Sequence, residues 1–218
     1  MNDLKQVVAR VEEVVKKRFE GEGTGHDWWH IDRVRRLSVN IAKHEGADLF
    51  VVELAALLHD VTDHKLFKGT PEEGRQLLLQ IMADAGCEEF VAEAVLGIID
   101  GISYKGAGVE DIPLPLEGQV VRDADRLDAM GAIGVARAFA FGGSRHRPLY
   151  DPTHPPVFHS SFAHYRQSQA PTINHFYEKL LLLKDRLQTP TAQKMALHRH
   201  QFMEQFLNEF YAEWEGGR

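Results

Sequence analysis

Apolar residues recur at three- and four-residue steps almost from one end of this 218-residue chain to the other. That period belongs to the α-helix and leaves little room for strands, whose side chains alternate at every second residue. Leu4, Val7, Val8, Val11, Val14, Val15 and Phe19 form the first stripe, with Lys and Glu between them, and Gly21 closes it. Ile31, Val34, Leu37 and Ile41 mark a second helix ending near Gly46. Asp48 is placed to cap a third, running through Leu54, Leu57 and Leu58 to His59. A segment apolar on most sides is a buried helix.

Thr70-Pro71-Glu72-Glu73 opens a fourth helix with a hydroxyl cap, a first-turn proline and early acids. It carries Leu77, Leu78, Ile81 and Met82, and a fifth is expected from about Glu88 to Ile99. Glycines and prolines between Gly101 and Pro115 predict a loop, and one long helix is expected over about Leu116 to Phe141. Gly142 to Pro156 reads as another loop, followed by helices over about Asn174–Leu187 and Thr191–Trp214. The expected class is all-α, a multi-helix bundle. No repeat or convincing linker interrupts it, so residues 1–218 read as one domain.

Composition narrows the function classes. Apolar residues make up 44% and charged residues 26%, which suits a packed chain and not a disordered one. With 25 basic against 32 acidic residues the net charge is −7, which argues against a non-specific grip on nucleic acid or an anionic membrane. A single cysteine, Cys87, has no partner for an internal disulfide, and a small core or helix-start residue is its expected role. Met1 to Phe19 interleaves charge with apolar residues, unlike a signal or transit peptide. No apolar run approaches the roughly 20 residues needed to span a bilayer. The expectation is a soluble, cytoplasmic protein with no nucleic-acid or membrane partner.

Three segments carry candidate chemistry. His59-Asp60 closes the most apolar helix, where an imidazole and a carboxylate are costly to bury without partners. A metal ion would serve both; a satisfied ion pair or a solvated cap is the alternative. His30 lies in Gly25-His26-Asp27-Trp28-Trp29-His30-Ile31-Asp32-Arg33-Val34, at the start of the second helix, with Arg33 three residues on and on the same side. Exposed imidazoles at a helix start would explain this segment equally. The third is Arg122-Asp123-Ala124-Asp125-Arg126-Leu127-Asp128. At about 100° per residue Asp125 and Asp128 share a face while Asp123 points away, and a solvated charged stripe is the bland reading.

Their order is more specific than any one of them. A His opens one helix, a His-Asp pair closes the next, and an Asp-Arg-Leu segment follows. This resembles the HD-domain superfamily of metal-dependent phosphohydrolases, in its small bacterial members, over roughly Gly25 to Gly143. His30-x-x-Arg33-Val34, Leu57-Leu58-His59-Asp60 and Ala124-Asp125-Arg126-Leu127 carry the likeness. It implies an HD-type helical domain with its metal-site core at about 25–143 and a helical extension at about 159–215. It implies that His30, His59, Asp60 and Asp125 ligate one divalent ion. Two imidazoles and two carboxylates suit Mn²⁺, Fe²⁺, Co²⁺, Ni²⁺ or Zn²⁺, with Mg²⁺ also open, better than Ca²⁺.

The resemblance also places acid–base work just after the His-Asp pair. Where the stringent-response hydrolases have Glu-Asp, this chain has Asp63-His64, which keeps one carboxylate and weakens the case for that substrate. Asp63 is therefore the candidate catalytic residue that orients or deprotonates water. Arg33, Lys65, Lys105 and Arg126 are candidate phosphate contacts, and Asp128 a candidate contact to substrate hydroxyls. The expected activity is hydrolysis of a phosphate ester or phosphoanhydride, probed best on nucleotides: nucleoside triphosphate to monophosphate and pyrophosphate, or removal of a terminal phosphate. A di-iron oxygenase of the same fold and a non-catalytic nucleotide-binding regulatory module are the alternatives. Pro71 to Arg122 holds no histidine for a second iron, so one metal per chain is expected.

Overall fold

In the computed structural model, helix α1 (Asn2–Arg18) buries Val7, Val11 and Val15, a stripe at four-residue steps. The structure describes residues 2–21, 26–63, 67–102, 108–158 and 169–217. Within them lie nine α-helices, one 3-10 helix and no strand. Two compact units are present: residues 1–103 with 111–124, and residues 104–110 with 125–218.

In the first unit, α2 (Trp28–Glu45) is capped by Asp27, whose carboxylate accepts from the His30 amide at 2.8 Å, and ends at Gly46 with φ +77°. Asp48 caps α3 (Leu49–Leu58) by accepting from the amides of Phe50 and Val51. Leu54, Ala55, Ala56, Leu57 and Leu58 are all fully buried, so α3 is the axis of this unit, touching α1, α2 and α5 (Glu89–Ile102). Between them α4 (Pro71–Asp84) starts on a complete capping box, Thr70 with Glu73. Cys87 lies half-buried just ahead of α5, where burial pushes its thiol up.

The long helix expected over Leu116 to Phe141 is two: α6 (Leu116–Asp128) and α7 (Gly131–Ser144). Met130 is extended and Gly131 takes φ +70°, a left-handed backbone that favours glycine. A side chain at Gly131 would also press on Arg199 at 3.1–3.2 Å. The expected helix over Asn174 to Leu187 also divides, into α8 (Asn174–Glu178) and a 3-10 helix (Leu180–Arg186). Leu180 and Leu183 are its buried residues, in keeping with a three-residue turn. Helix α9 (Pro190–Trp214) packs on α7 and on the 3-10 helix. Its aromatic residues hold the loop after α7 and helix α8: Tyr150 meets Trp214 edge-on at 5.0 Å, and Phe206 stacks on Phe176 at 5.7 Å. That loop begins later than expected, because α7 continues through Ser144.

Candidate metal centre

His30 sits in the first turn of α2 and is fully buried; His59 and Asp60 follow the last residue of α3 and are buried as well. Nε2 of His59 lies 3.2 Å from Nε2 of His30 and 3.6 Å from Oδ1 of Asp60. Nε2 of His30 is 3.3 Å from Oδ2 of Asp60. The ligand-type atoms of three residues, one on α2 and two just past α3, thus converge inside the first unit.

The hydrogen bonds around them fix which atoms face inward. Nδ1 of His59 is 2.8 Å from the carbonyl oxygen of Ala56. A carbonyl only accepts, so Nδ1 carries the proton and Nε2 holds the lone pair in the neutral ring. Burial alone would raise the Asp60 carboxyl. The pull of His59 when its ring is protonated, with hydrogen bonds from His26 and His30, overcomes that and holds it well below the usual carboxylate range. Asp60 is therefore an anion inside the protein, and a buried anion needs compensation.

A divalent cation fits these atoms. With metal–ligand bonds of about 2.1 Å, neighbouring ligands of an octahedral ion stand roughly 3 Å apart. The three observed separations lie close to that spacing, and the donor set of two imidazoles and a carboxylate is one that transition metals favour.

His26 joins them unexpectedly. Its Nδ1 lies 2.8 Å from Oδ2 of Asp60, its ring stands edge-on to His30 at 5.5 Å, and His26, His30 and Asp60 form a group able to hold a metal ion. Sequence reasoning passed over it in favour of His30. The available signal was the spacing: His26 precedes the Asp27 cap and His30 is the third residue of α2. A side chain just before a cap folds back onto the first turn of its helix.

The remaining predicted residues are distributed differently. Asp63 is half-buried in the turn after the pair, its amide donating to the Asp60 carbonyl at 3.1 Å and its carbonyl accepting from Phe67 at 2.8 Å. Arg33 is half-buried on α2, one turn beyond His30. Asp125 is half-buried on α6, directly after Ala124, the last residue of the first unit. Lys65 and Lys105 lie outside the described residues.

The charged run on α6 is no solvated stripe. Arg122, Asp123, Arg126 and Asp128 are all buried. Arg122 donates to the carbonyl of Ile112 at 2.8 Å. Within the second unit Arg126 donates to the carbonyl of Arg186 at 2.6 Å, and Asp128 pairs with Arg137 at 2.8 Å. Arg126 and Asp128 are thus engaged with the protein itself. No described helix is long and apolar enough to cross a membrane.

The HD domain family model matches residues 28–130. The uncharacterized protein YpgQ of Bacillus subtilis is 38% identical over 213 residues, covering 96% of this chain and 94% of that protein. A crystal structure of YpgQ in complex with ADP superposes with TM-score 0.77 at 36% identity, over 98% of this chain and 97% of that one. An HD-superfamily hydrolase from Bacillus thuringiensis is 40% identical over 97% and 98% of the two chains, with TM-score 0.76. A crystal structure from Lactobacillus plantarum reaches TM-score 0.87 at 37% identity, over 96% and 97%. With His30, His59 and Asp60 gathered at one point and relatives matched along nearly its whole length, the chain belongs to the HD-domain superfamily of hydrolases.

Proposed function

We propose that this protein is a divalent-metal-dependent phosphohydrolase that cleaves a phosphate ester or phosphoanhydride of a nucleotide. The observation that carries the reading is the approach of His30 Nε2, His59 Nε2 and the Asp60 carboxylate to within 3.2–3.6 Å of one another. The nucleotide rests on a relative: YpgQ was crystallised with ADP. His30, His59, Asp60 and Asp125 are assigned as the protein ligands. A bound divalent ion would acidify a water ligand and polarise a phosphoryl oxygen.

The chain's own groups do the rest. Asp63, three residues beyond the Asp60 ligand, accepts the proton of the attacking water as its oxygen bonds to phosphorus and the bond to the leaving oxygen breaks. Arg33, Lys65 and Lys105 are assigned to the phosphate charge; the chain has no glycine-rich phosphate loop to do so. Arg126, whose guanidinium donates to the Arg186 carbonyl, and Asp128, paired with Arg137, are assigned to the substrate's phosphate and hydroxyl groups through the atoms these bonds leave over.

The test is a panel of nucleoside mono-, di- and triphosphates with Mn²⁺ or Co²⁺, scored separately for phosphate and pyrophosphate. Release of either, abolished by exhaustive chelation, is expected. No release from any nucleotide, or full release by the metal-free protein, would refute the reading.

A further inference from the structure

We infer that His26 is a positioning residue of the metal centre, holding the Asp60 carboxylate in the orientation that metal binding requires. The inference rests on the metal centre proposed above and goes beyond its ligand set.

His26 stands one residue before the Asp27 cap of α2, and the cap's bond to the His30 amide fixes the turn between them. That turn folds the His26 side chain back over the start of the helix, against the His30 ring. Nδ1 of His26 then meets Oδ2 of Asp60 at 2.8 Å, across 34 residues of sequence. A carboxylate that ligates a metal only accepts, so Nδ1 donates.

A carboxylate on a buried turn rotates about its terminal torsion unless one oxygen is held. His26 holds Oδ2, which fixes the plane of the group and the direction of Oδ1, the oxygen nearer His59. Partners that orient a ligating carboxylate are worth about 10–100-fold in metal affinity. His26 is also partly exposed, with 17% of its side chain accessible, while His30 is fully buried. A residue at the rim orienting one in the interior explains the pair without a second ion.

The experiment measures Mn²⁺ dissociation constants by competition with a chromogenic chelator, on wild type, His26→Ala and His26→Asn, beside the melting temperature of each metal-free protein. His26→Ala is expected to weaken Mn²⁺ binding by about 10–100-fold with the metal-free melting temperature unchanged. His26→Asn, whose amide can donate to the same oxygen, is expected to recover most of the loss, and it keeps the test open if the alanine variant fails to fold. Wild-type affinity in His26→Ala overturns the inference. So does an equal deficit in both variants, which marks His26 as a ligand, or a matching fall in metal-free melting temperature, which marks a structural role. Tight Mn²⁺ binding without hydrolysis of any nucleotide would refute the proposed function and leave this measurement intact. A wild type that binds no divalent ion would overturn both.

Discussion

Nε2 of His30 and Nε2 of His59 face each other across 3.2 Å, although 29 residues separate them in the chain. Since His59 carries its proton on Nδ1, the contact requires either a proton on His30 Nε2 or a cation against both nitrogens. Protons and metal therefore compete for the same atoms. Mn²⁺ binding is expected to release protons and to weaken as pH falls. Calorimetry in buffers of different ionisation enthalpy measures the release; pH-independent binding would contradict it.

Metal should also stabilise the fold, because the unfolded chain has no formed site. At 100 times the dissociation constant the gain is about 2.7 kcal/mol, which for a chain this long raises the melting temperature by roughly 5–10 °C. Mn²⁺ or Co²⁺ is expected to restore chelated protein fully and Ca²⁺ poorly, as read by thermal melts with and without each ion. Equal restoration by Ca²⁺ would argue against imidazole ligands.

Asp125 and Asp123 should separate cleanly. Asp125→Asn is expected to abolish metal binding and hydrolysis while the metal-free melting temperature hardly changes. Asp123 is fully buried and has partners, so Asp123→Asn should cost about 1–3 kcal/mol of stability and leave metal affinity near wild type. Denaturant melts and metal titrations on both variants decide this. The opposite pattern would shift the fourth ligand by two residues.

Buried Asp128 pairs with half-buried Arg137, and Arg199 lies close enough for its guanidinium to feel the Asp128 charge. Removing Asp128 alone takes a carboxylate from both guanidinium groups. Asp128→Leu is expected to destabilise by about 1.5–3 kcal/mol, and Asp128→Leu with Arg137→Met by clearly less. Urea unfolding of Asp128→Leu, Arg137→Met and the double variant gives the coupling energy.

Tyr211 supplies a pH signature. Burial, reinforced by a hydrogen bond with Tyr177, holds its phenol well above the usual tyrosine value. Above pH about 10 the unfolded chain loses this proton and the folded one keeps it. Native protein then binds more protons, so stability falls as pH rises past that point. Absorbance titration should show one tyrosine that ionises at higher pH than the others, and Tyr211→Phe should abolish that delayed step.

Much of this was legible in the residues. The stripe of α1, the caps Asp48 and Thr70, and the all-round apolar α3 each follow from local periodicity and capping chemistry. His59 and Asp60 could be singled out because each is costly to bury alone, and His30 because of its place ahead of them in a His…His-Asp…Asp order. The α6 charges misled because a run of acids and arginines is normally solvated. Their burial depends on partners far along the chain: the Arg186 carbonyl for Arg126, and Arg137 for Asp128. The break before α7 was missed because it rests on one left-handed glycine under Arg199, a tertiary contact no local pattern reports.

Helix α3 carries a consequence for how this chain can vary in length. His59 and Asp60 are consecutive, and the five residues before them are sealed on every side. Inserting or deleting one residue within α3 would turn both ligands together by about 100° and shift them by about 1.5 Å. No side-chain adjustment next to a sealed helix could recover that. The loops can lengthen, but α3 acts as a fixed ruler between its Asp48 cap and the His59-Asp60 pair.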